Sequence, residues 1–280
     1  MTADATSVPL SLSYYTVPEL APPDMVRAAA AAGFAFVGVR LLHGQPGRDP
    51  APLMTDAALR RETIACLRDS GIGVLDASGA RLVPDTPMHA FAPFLDAAAE
   101  LGARHVLASG DDPDPSRLVD RFRRLCDDAA RFGLTVDLEF VPWMSIPDLS
   151  TAARVARDVQ RATFGIAVDA LHFDRSRSSV DELAALPAAW FRYVQLCDAP
   201  RAWSPQRDAL LHAATKERLL PGEGGIDLVA LLRALPRGIP VALEIPMAAL
   251  SRTLPAGERL RRAVHATRRV LREAYADDRR

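Results

Sequence analysis

The sequence is expected to fold as a (β/α)8 barrel, and three features of its 280 residues carry that expectation. Short apolar runs alternate with longer segments whose apolar residues recur every three to four positions. Several of the longer segments end at a glycine that leads directly into the next apolar run. The late runs each finish near an oxygen-bearing side chain, and strand C-terminal ends are where parallel α/β folds place their chemistry. Alternation also fits an open, doubly wound sheet, because it does not by itself prove closure.

In chain order, the expected strand Val8–Ser13 precedes a helix over Pro23–Ala32, which stops at Gly33. Strand Phe36–Leu41 is followed by helix Asp56–Ser70 and Gly71, then strand Ile72–Ala77. Helix Met88–Leu101 ends at Gly102 before strand His105–Ser109. Helix Ser116–Phe132 ends at Gly133 before strand Leu134–Glu139. Glycine at these stops supplies a left-handed C-cap. The later elements are helix Ser150–Arg161, strand Gly165–Asp169, helix Val180–Leu186, strand Tyr193–Cys197, helix Leu228–Leu235, strand Val241–Glu244 and helix Ala256–Tyr275. No linker, repeat or charge block divides the chain, so residues 1–280 are read as one domain.

Side chains on a strand alternate between its faces. In FGIAVDALHFDR, Ile166 and Val168 share a bulky face, while Gly165, Ala167 and Asp169 share a small one that ends in a carboxylate. That division suits a strand covered by helices outside and enclosing a crowded interior. The same parity turns Gln195 inward on its strand, with Tyr193 and Cys197, and Glu244 inward on its strand, with Ala242. Glu139 ends its strand before the loop FVPW. Glu139, Asp169, Gln195 and Glu244 are therefore expected to converge at the C-terminal mouth. Three carboxylates at one spot repel one another unless a cation lies between them. Oxygen-only donors carrying about three negative charges suit a hard divalent ion, Mn²⁺ or Mg²⁺, better than a zinc site of thiolates and imidazoles.

The tracts LEFVPW, VDALHFDRS, YVQLCDAP, LLPGEGGIDL and VALEIP resemble, in order and spacing, the xylose isomerase-like TIM-barrel superfamily, nearest its sugar phosphate isomerase/epimerase branch. The resemblance covers most of the chain and is most specific from Leu134 to Pro246. It implies one divalent metal held by Glu139, Asp169 and Glu244, with His172 of the D-x-x-H tract positioning or protonating the substrate. Gln195 stands where most members carry histidine; its carbonyl oxygen can still coordinate. The dehydroshikimate dehydratases of the superfamily are similar to this chain in that glutamine. The resemblance also implies a homo-oligomer.

Other candidates lie around the same mouth. Arg40, beside His43, either holds a substrate carboxylate or hydroxyl or pairs with a strand-end acid. Arg175 and Arg218 either grip an anion with their planar forks or brace loops. The amides of Pro221–Gly225 either cradle an anion or form a tight turn. Trp143 would line an apolar wall, Asp198 would support a ligand or an arginine, and Ala199–Leu220 is the natural lid.

Composition excludes other classes. A net charge of −1 gives no global attraction to nucleic acid or membrane. The arginines from Arg259 onward read as the solvated face of the last helix. No apolar run approaches the ~18 residues of a membrane span. The first ten residues lack the basic and apolar regions of a secretory signal, and three cysteines without CxxC spacing imply neither disulfides nor a zinc knuckle. The expected location is a reducing cytoplasm, and the expected partner is a small carbohydrate-like molecule. A DNA-repair nuclease of this barrel would need several histidines at strand ends, and only His172 and His43 fall near the mouth.

The expected chemistry is isomerisation or epimerisation of a sugar, keto-sugar or related polyol through a metal-stabilised enediolate, with Glu139 and Glu244 as the carbon acid and base and His172 as the proton shuttle to oxygen. The alternative is a lyase of the dehydroshikimate or inosose dehydratase kind, which loses a β-hydroxyl after the same first step. A metal-free binding protein remains the reading from outside enzymology.

Overall fold

The computed structural model describes residues 7–43 and 49–276. Thus residues 1–6 of the tract examined for a secretory signal, and 277–280 of the arginine-rich tail, lie outside the described residues.

Eight strands form one closed parallel barrel: β1 Leu10–Ser13, β2 Phe36–Arg40, β3 Gly73–Leu82, β4 Ala103–Gly110, β5 Thr135–Glu139, β6 Phe164–Asp169, β7 Val194–Leu196 and β8 Val241–Leu243. β1 pairs in parallel with both β2 and β8, which closes the sheet and rules out the open alternative. The helices are α1 Pro22–Ala32, α2 Pro52–Thr55, α3 Ala57–Ser70, α4 Ala92–Glu100, α5 Pro115–Ala130, α6 Leu149–Val159, α7 Ala170–Arg175, α8 Val180–Ala185, α9 Arg207–Thr215, α10 Leu228–Ala234, α11 Ala248–Ser251 and α12 Ala256–Ala274. The eight expected helices all form. The short helices α2, α7, α9 and α11 are additional, and all lie in loops that follow strands. Gly33, Gly71, Gly102 and Gly133 take positive φ where helices stop.

Strand parity builds two cores. Val136, Leu138, Ile166, Val168, Val194, Leu196, Val241 and Leu243 pack outward against helices. Leu75, Leu107, Ala167, Tyr193 and Ala242 fill the barrel interior. Below them the interior is polar. Asp137, fully buried on β5, accepts hydrogen bonds from Arg192 Nη1 at 2.8 Å and Thr135 Oγ1 at 3.2 Å. His105 lies 3.5 Å from the same carboxylate and stacks on Tyr193. Gly165 on β6 makes this possible, because a Cβ there would lie 2.0 Å from Arg192 Nη1. Arg192→Ala leaves the buried carboxylate with its weaker partners only and is expected to cost about 2–3 kcal/mol, read as a lower midpoint in urea unfolding.

β3 departs from its expected span by starting at Gly73 and running on to Leu82. Ser78 and Gly79, beyond the expected end at Ala77, form a register shift against β4 inside the strand. Gly79 has φ +114, and a Cβ there would fall 2.1 Å from the Leu42 carbonyl oxygen. A second shift lies nearer the barrel centre: Val37 pairs with Val74, but Val39 pairs with Ala77. One β2 residue, Gly38, therefore faces both Leu75 and Asp76, and both side chains point inside.

On α12, Arg261, Arg262, Arg269 and Arg272 are exposed as expected, and Arg259 departs from that solvated face. Arg259 is buried and donates to the Thr16 carbonyl at 3.0 Å and to Glu19. Arg261 and Arg262 both pair with Glu258. Among the described residues, no helix is long and apolar enough to cross a membrane.

Candidate active site

The C-terminal ends of the strands surround a cavity of about 290 Å³. Glu139 closes β5 and reaches it directly. Asp169 closes β6 and caps α7: its Oδ1 accepts the His172 backbone N–H at 3.0 Å, which fixes the one-and-a-half turns that carry His172. The expected loop after β6 is thus a short helix, and the capping carboxylate is the reason. One donor atom each from Glu139, Asp169 and His172 falls within 4.8 Å of the others.

Gln195 and Glu244 sit beside this group, bound to each other. Gln195 Nε2 donates to Glu244 Oε2 at 2.6 Å, and Ser13 Oγ at the end of β1 donates to the same oxygen at 3.1 Å. Arg218 lies between the acids. Its Nη1 meets Asp169 Oδ2 at 2.6 Å and its Nη2 meets Glu244 Oε1 at 3.1 Å, while its Nε donates to the Ala214 carbonyl at 3.0 Å. The arginine read from sequence as an anion grip or a loop brace therefore joins two of the strand-end acids to the C-terminal turn of α9. The lid segment does cover the mouth: Arg207, Leu211, Ala214 and Thr215 line the cavity.

Charge explains the titration of the cluster. Burial, with Glu244 and Asp169 nearby, pushes the Glu139 carboxyl well above the ordinary glutamate range. Burial also raises Glu244, against the pull of Arg218. For Asp169 burial again pushes upward, but the Arg218 guanidinium and His172 outweigh it, so its carboxyl lies below the usual value. Burial lowers His172 to about 4, and the imidazole is neutral near pH 7.

These residues suit a divalent cation. With all three carboxylates ionised, Arg218 would leave two negative charges for such a cation to balance. The buried Gln195 Oε1 and His172 Nδ1 have no hydrogen-bond partner among the described residues. Glu139 has no partner among the described residues.

The remaining candidates divide. Trp143 lines the cavity and packs edge-on against His172 at 5.3 Å between ring centres. Arg40 lines the cavity, donates to Tyr15 Oη at 2.8 Å and to the His43 carbonyl at 3.4 Å, and pairs with no acid among the described residues. His43 lies at the rim beside it. Arg175 does not line the cavity; it is buried against Asp174, donates to the Pro200 carbonyl at 2.9 Å and stacks on Trp203. It braces the start of the lid segment. The Pro221–Gly225 turn holds no free cradle, because Asp198 accepts its amides: Gly222 N at 3.0 Å, Gly224 N at 2.9 Å and Ile226 N at 3.1 Å.

Sequence reasoning missed Ser13, Tyr15, Arg81 and Asp76, all of which line the cavity. Asp76 is 6% exposed and makes no hydrogen bond or ion pair among the described residues. Burial, with Glu244 and Asp137 nearby, raises its carboxyl to about 8. The folded state therefore holds a proton that the unfolded chain releases near pH 4, so the parent loses stability as pH rises from about 4 to about 8. Relative to Asp76→Asn, that loss is expected to reach up to about 1.4 kcal/mol per pH unit. Urea midpoints of the two proteins at pH 5 and pH 8 measure it; equal differences at both pH values would contradict it.

The sequence profile of the xylose isomerase-like TIM-barrel family matches residues 26–270. Over 238 residues, 80% of this chain, the sequence is 29% identical to 3-dehydroshikimate dehydratase of Pseudomonas aeruginosa. The chain spans 36% of that relative's length. The solved structure of the IolI protein with a bound zinc atom superposes with a TM-score of 0.78 at 20% identity, covering 95% of this chain and 98% of that one. D-allulose 3-epimerase from Methylomonas sp. superposes with a TM-score of 0.68 at 17% identity, covering 92% and 95%. The two structural likenesses are likenesses of fold.

Proposed function

We propose that this chain, which belongs to the xylose isomerase-like TIM-barrel family, is a divalent-metal enzyme that removes a proton beside a carbonyl. We further propose that its reaction is dehydration of a carboxylated, polyhydroxylated cyclic ketone of the 3-dehydroshikimate kind. The carrying observation is that Glu139, His172 and Glu244 line a cavity that Arg40, Arg207 and Arg81, the last paired with Asp111, also line. Such a cavity receives a small molecule with a carbonyl at one end and a carboxylate at the other. Gln195 and the 29% identity to a 3-dehydroshikimate dehydratase support the same choice.

Glu139, Asp169, Gln195 and Glu244 would hold the metal, which when bound polarises a carbonyl and acidifies the neighbouring C–H. The oxygen-only donor set suits Mn²⁺ or Mg²⁺, while a structural neighbour holds zinc. His172, with its free Nδ1, is positioned to receive the carbon proton and to pass one to the departing β-hydroxyl. Trp143 holds that ring from the side and keeps water from it. Arg218 positions Asp169 and Glu244. Overall the substrate loses one proton and one hydroxide as water and gains a C=C bond; no oxidant is required.

A second reading is isomerisation or epimerisation of a sugar or related polyol. It is favoured by the hydroxyls of Ser13, Tyr15, Ser78 and Ser109 around the cavity, and it shares the first proton step. The test supplies 3-dehydroshikimate with Mg²⁺, Mn²⁺ or Zn²⁺ and follows the near-ultraviolet absorbance of the aromatic dihydroxybenzoate product. Metal-dependent product formation supports the lyase. Solvent deuterium entering a ketose, without that product, selects the second reading. Neither result with any of the metals removes both.

A further inference from the structure

We propose that the cavity floor at Asp76 and Gly38 is a hydroxyl-binding subsite, and that Asp76 determines which polyhydroxylated substrates the cavity accepts. It rests on the reading above only in placing the substrate in this cavity.

The geometry is built from three features. The β2–β3 register shift sets Leu75 and Asp76 inside the barrel together, where strict alternation would turn one of them out. Gly38 supplies the room: a Cβ there would lie 2.7 Å from Asp76 Oδ1 and 3.2 Å from its Cγ. The carboxyl then faces the cavity, more than nine-tenths buried, with no partner among the described residues. A buried carboxyl left alone is costly, and natural interiors satisfy such groups. Here the missing partner must come from the cavity.

Chemistry selects the partner. Asp76 lies in the field of Glu244 and Asp137, so this end of the cavity repels a carboxylate or phosphate. Arg40 and Arg81, farther along the same two strands toward their C-terminal ends, attract one nearer the mouth. A hydroxyl suits Asp76 in either protonation state, because it both donates and accepts. The cavity thus reads charge near its mouth and a hydroxyl at the floor, which fixes the direction in which a ring or chain lies. A site built to bond a hydroxyl discriminates strongly against the analogue that lacks it.

The test uses shikimate, its hydroxyl-free counterpart cyclohex-1-ene-1-carboxylate, and myo-inositol, with calorimetry on Mg²⁺-supplemented protein. The parent is expected to prefer shikimate to cyclohexenecarboxylate at least thirtyfold. Asp76→Ala should cut that preference at least tenfold while leaving cyclohexenecarboxylate within twofold. Gly38→Ala, which displaces the carboxyl without removing it, should act in the same direction. Melting temperature controls for folding, and Asp76→Ala should melt no lower than the parent, since it removes a buried group without partners. An unchanged preference, equal weakening of both carboxylates, or a parent that binds neither shikimate nor myo-inositol overturns the subsite. If Asp76→Ala shifts the preference while 3-dehydroshikimate is not turned over, the subsite stands and the dehydratase reading falls.

Discussion

Arg218→Met is expected to lose about 3–5 kcal/mol of folding stability in metal-free buffer, and to recover much of it when a divalent cation is added. Arg218 is the cation that the protein itself supplies to its strand-end acids, touching Asp169 at 2.6 Å and Glu244 at 3.1 Å. All three side chains are buried. Methionine keeps much of the stem volume and removes the charge, which leaves two uncompensated carboxylates in a low-dielectric site. Their repulsion falls on Glu139 as well. A bound divalent ion restores positive charge at the same place, so metal should raise the melting temperature of the variant more than that of the parent. Thermal unfolding of both proteins in chelator and in excess Mg²⁺, Mn²⁺ and Zn²⁺ measures this. A variant that is destabilised but gains no more than the parent from any of the three would show that these acids do not share a metal. The same substitution releases the bond from Nε to the Ala214 carbonyl, so α9 should exchange its amide hydrogens faster.

Glu139→Gln is expected to lower turnover by a factor of about 10²–10⁴ while leaving the metal-free protein at least as stable as the parent. The two halves have one cause. In the absence of a cation, burial and the neighbouring Glu244 and Asp169 make the charged form of Glu139 unfavourable. The uncharged amide relieves that repulsion. The charge is what the proposed metal ligand needs, so relief of the fold costs the function. The measurement pairs kcat with the melting temperature in chelator. Activity within tenfold of the parent would remove Glu139 from the chemistry. A large loss of stability in chelator would show that its role is structural.

The barrel was legible in the sequence because its signals are local. Helix-spaced apolar residues, capping glycines and two-residue strand alternation each act over a few positions, and each survives packing. Parity placed Asp169, Gln195 and Glu244 inside the barrel, with Val168, Leu196 and Leu243 outside, because β6, β7 and β8 run without a bulge. The same rule fails on β3. Ile72, Val74 and Asp76 share a parity, Val74 packs outward, and a strict count turns Asp76 toward the helices with it. The register shift opposite Gly38 reverses that, and its signal is a glycine on a different strand.

The sequence by itself determined the fold, the facing of three strand ends, and the presence of carboxylates, a glutamine and a histidine at one mouth. Only the tertiary structure decided how these groups are paired. It set Arg218, 49 residues from Asp169 and 26 from Glu244, between those two acids rather than on a substrate. It turned the Pro221–Gly225 amides onto Asp198, placed Arg175 under the lid segment, and left Asp76 facing the cavity without a partner among the described residues. The reason is physical. Periodicity reports which face a side chain takes, whereas charge pairing depends on distances across a closed barrel between residues that have no spacing rule in the chain.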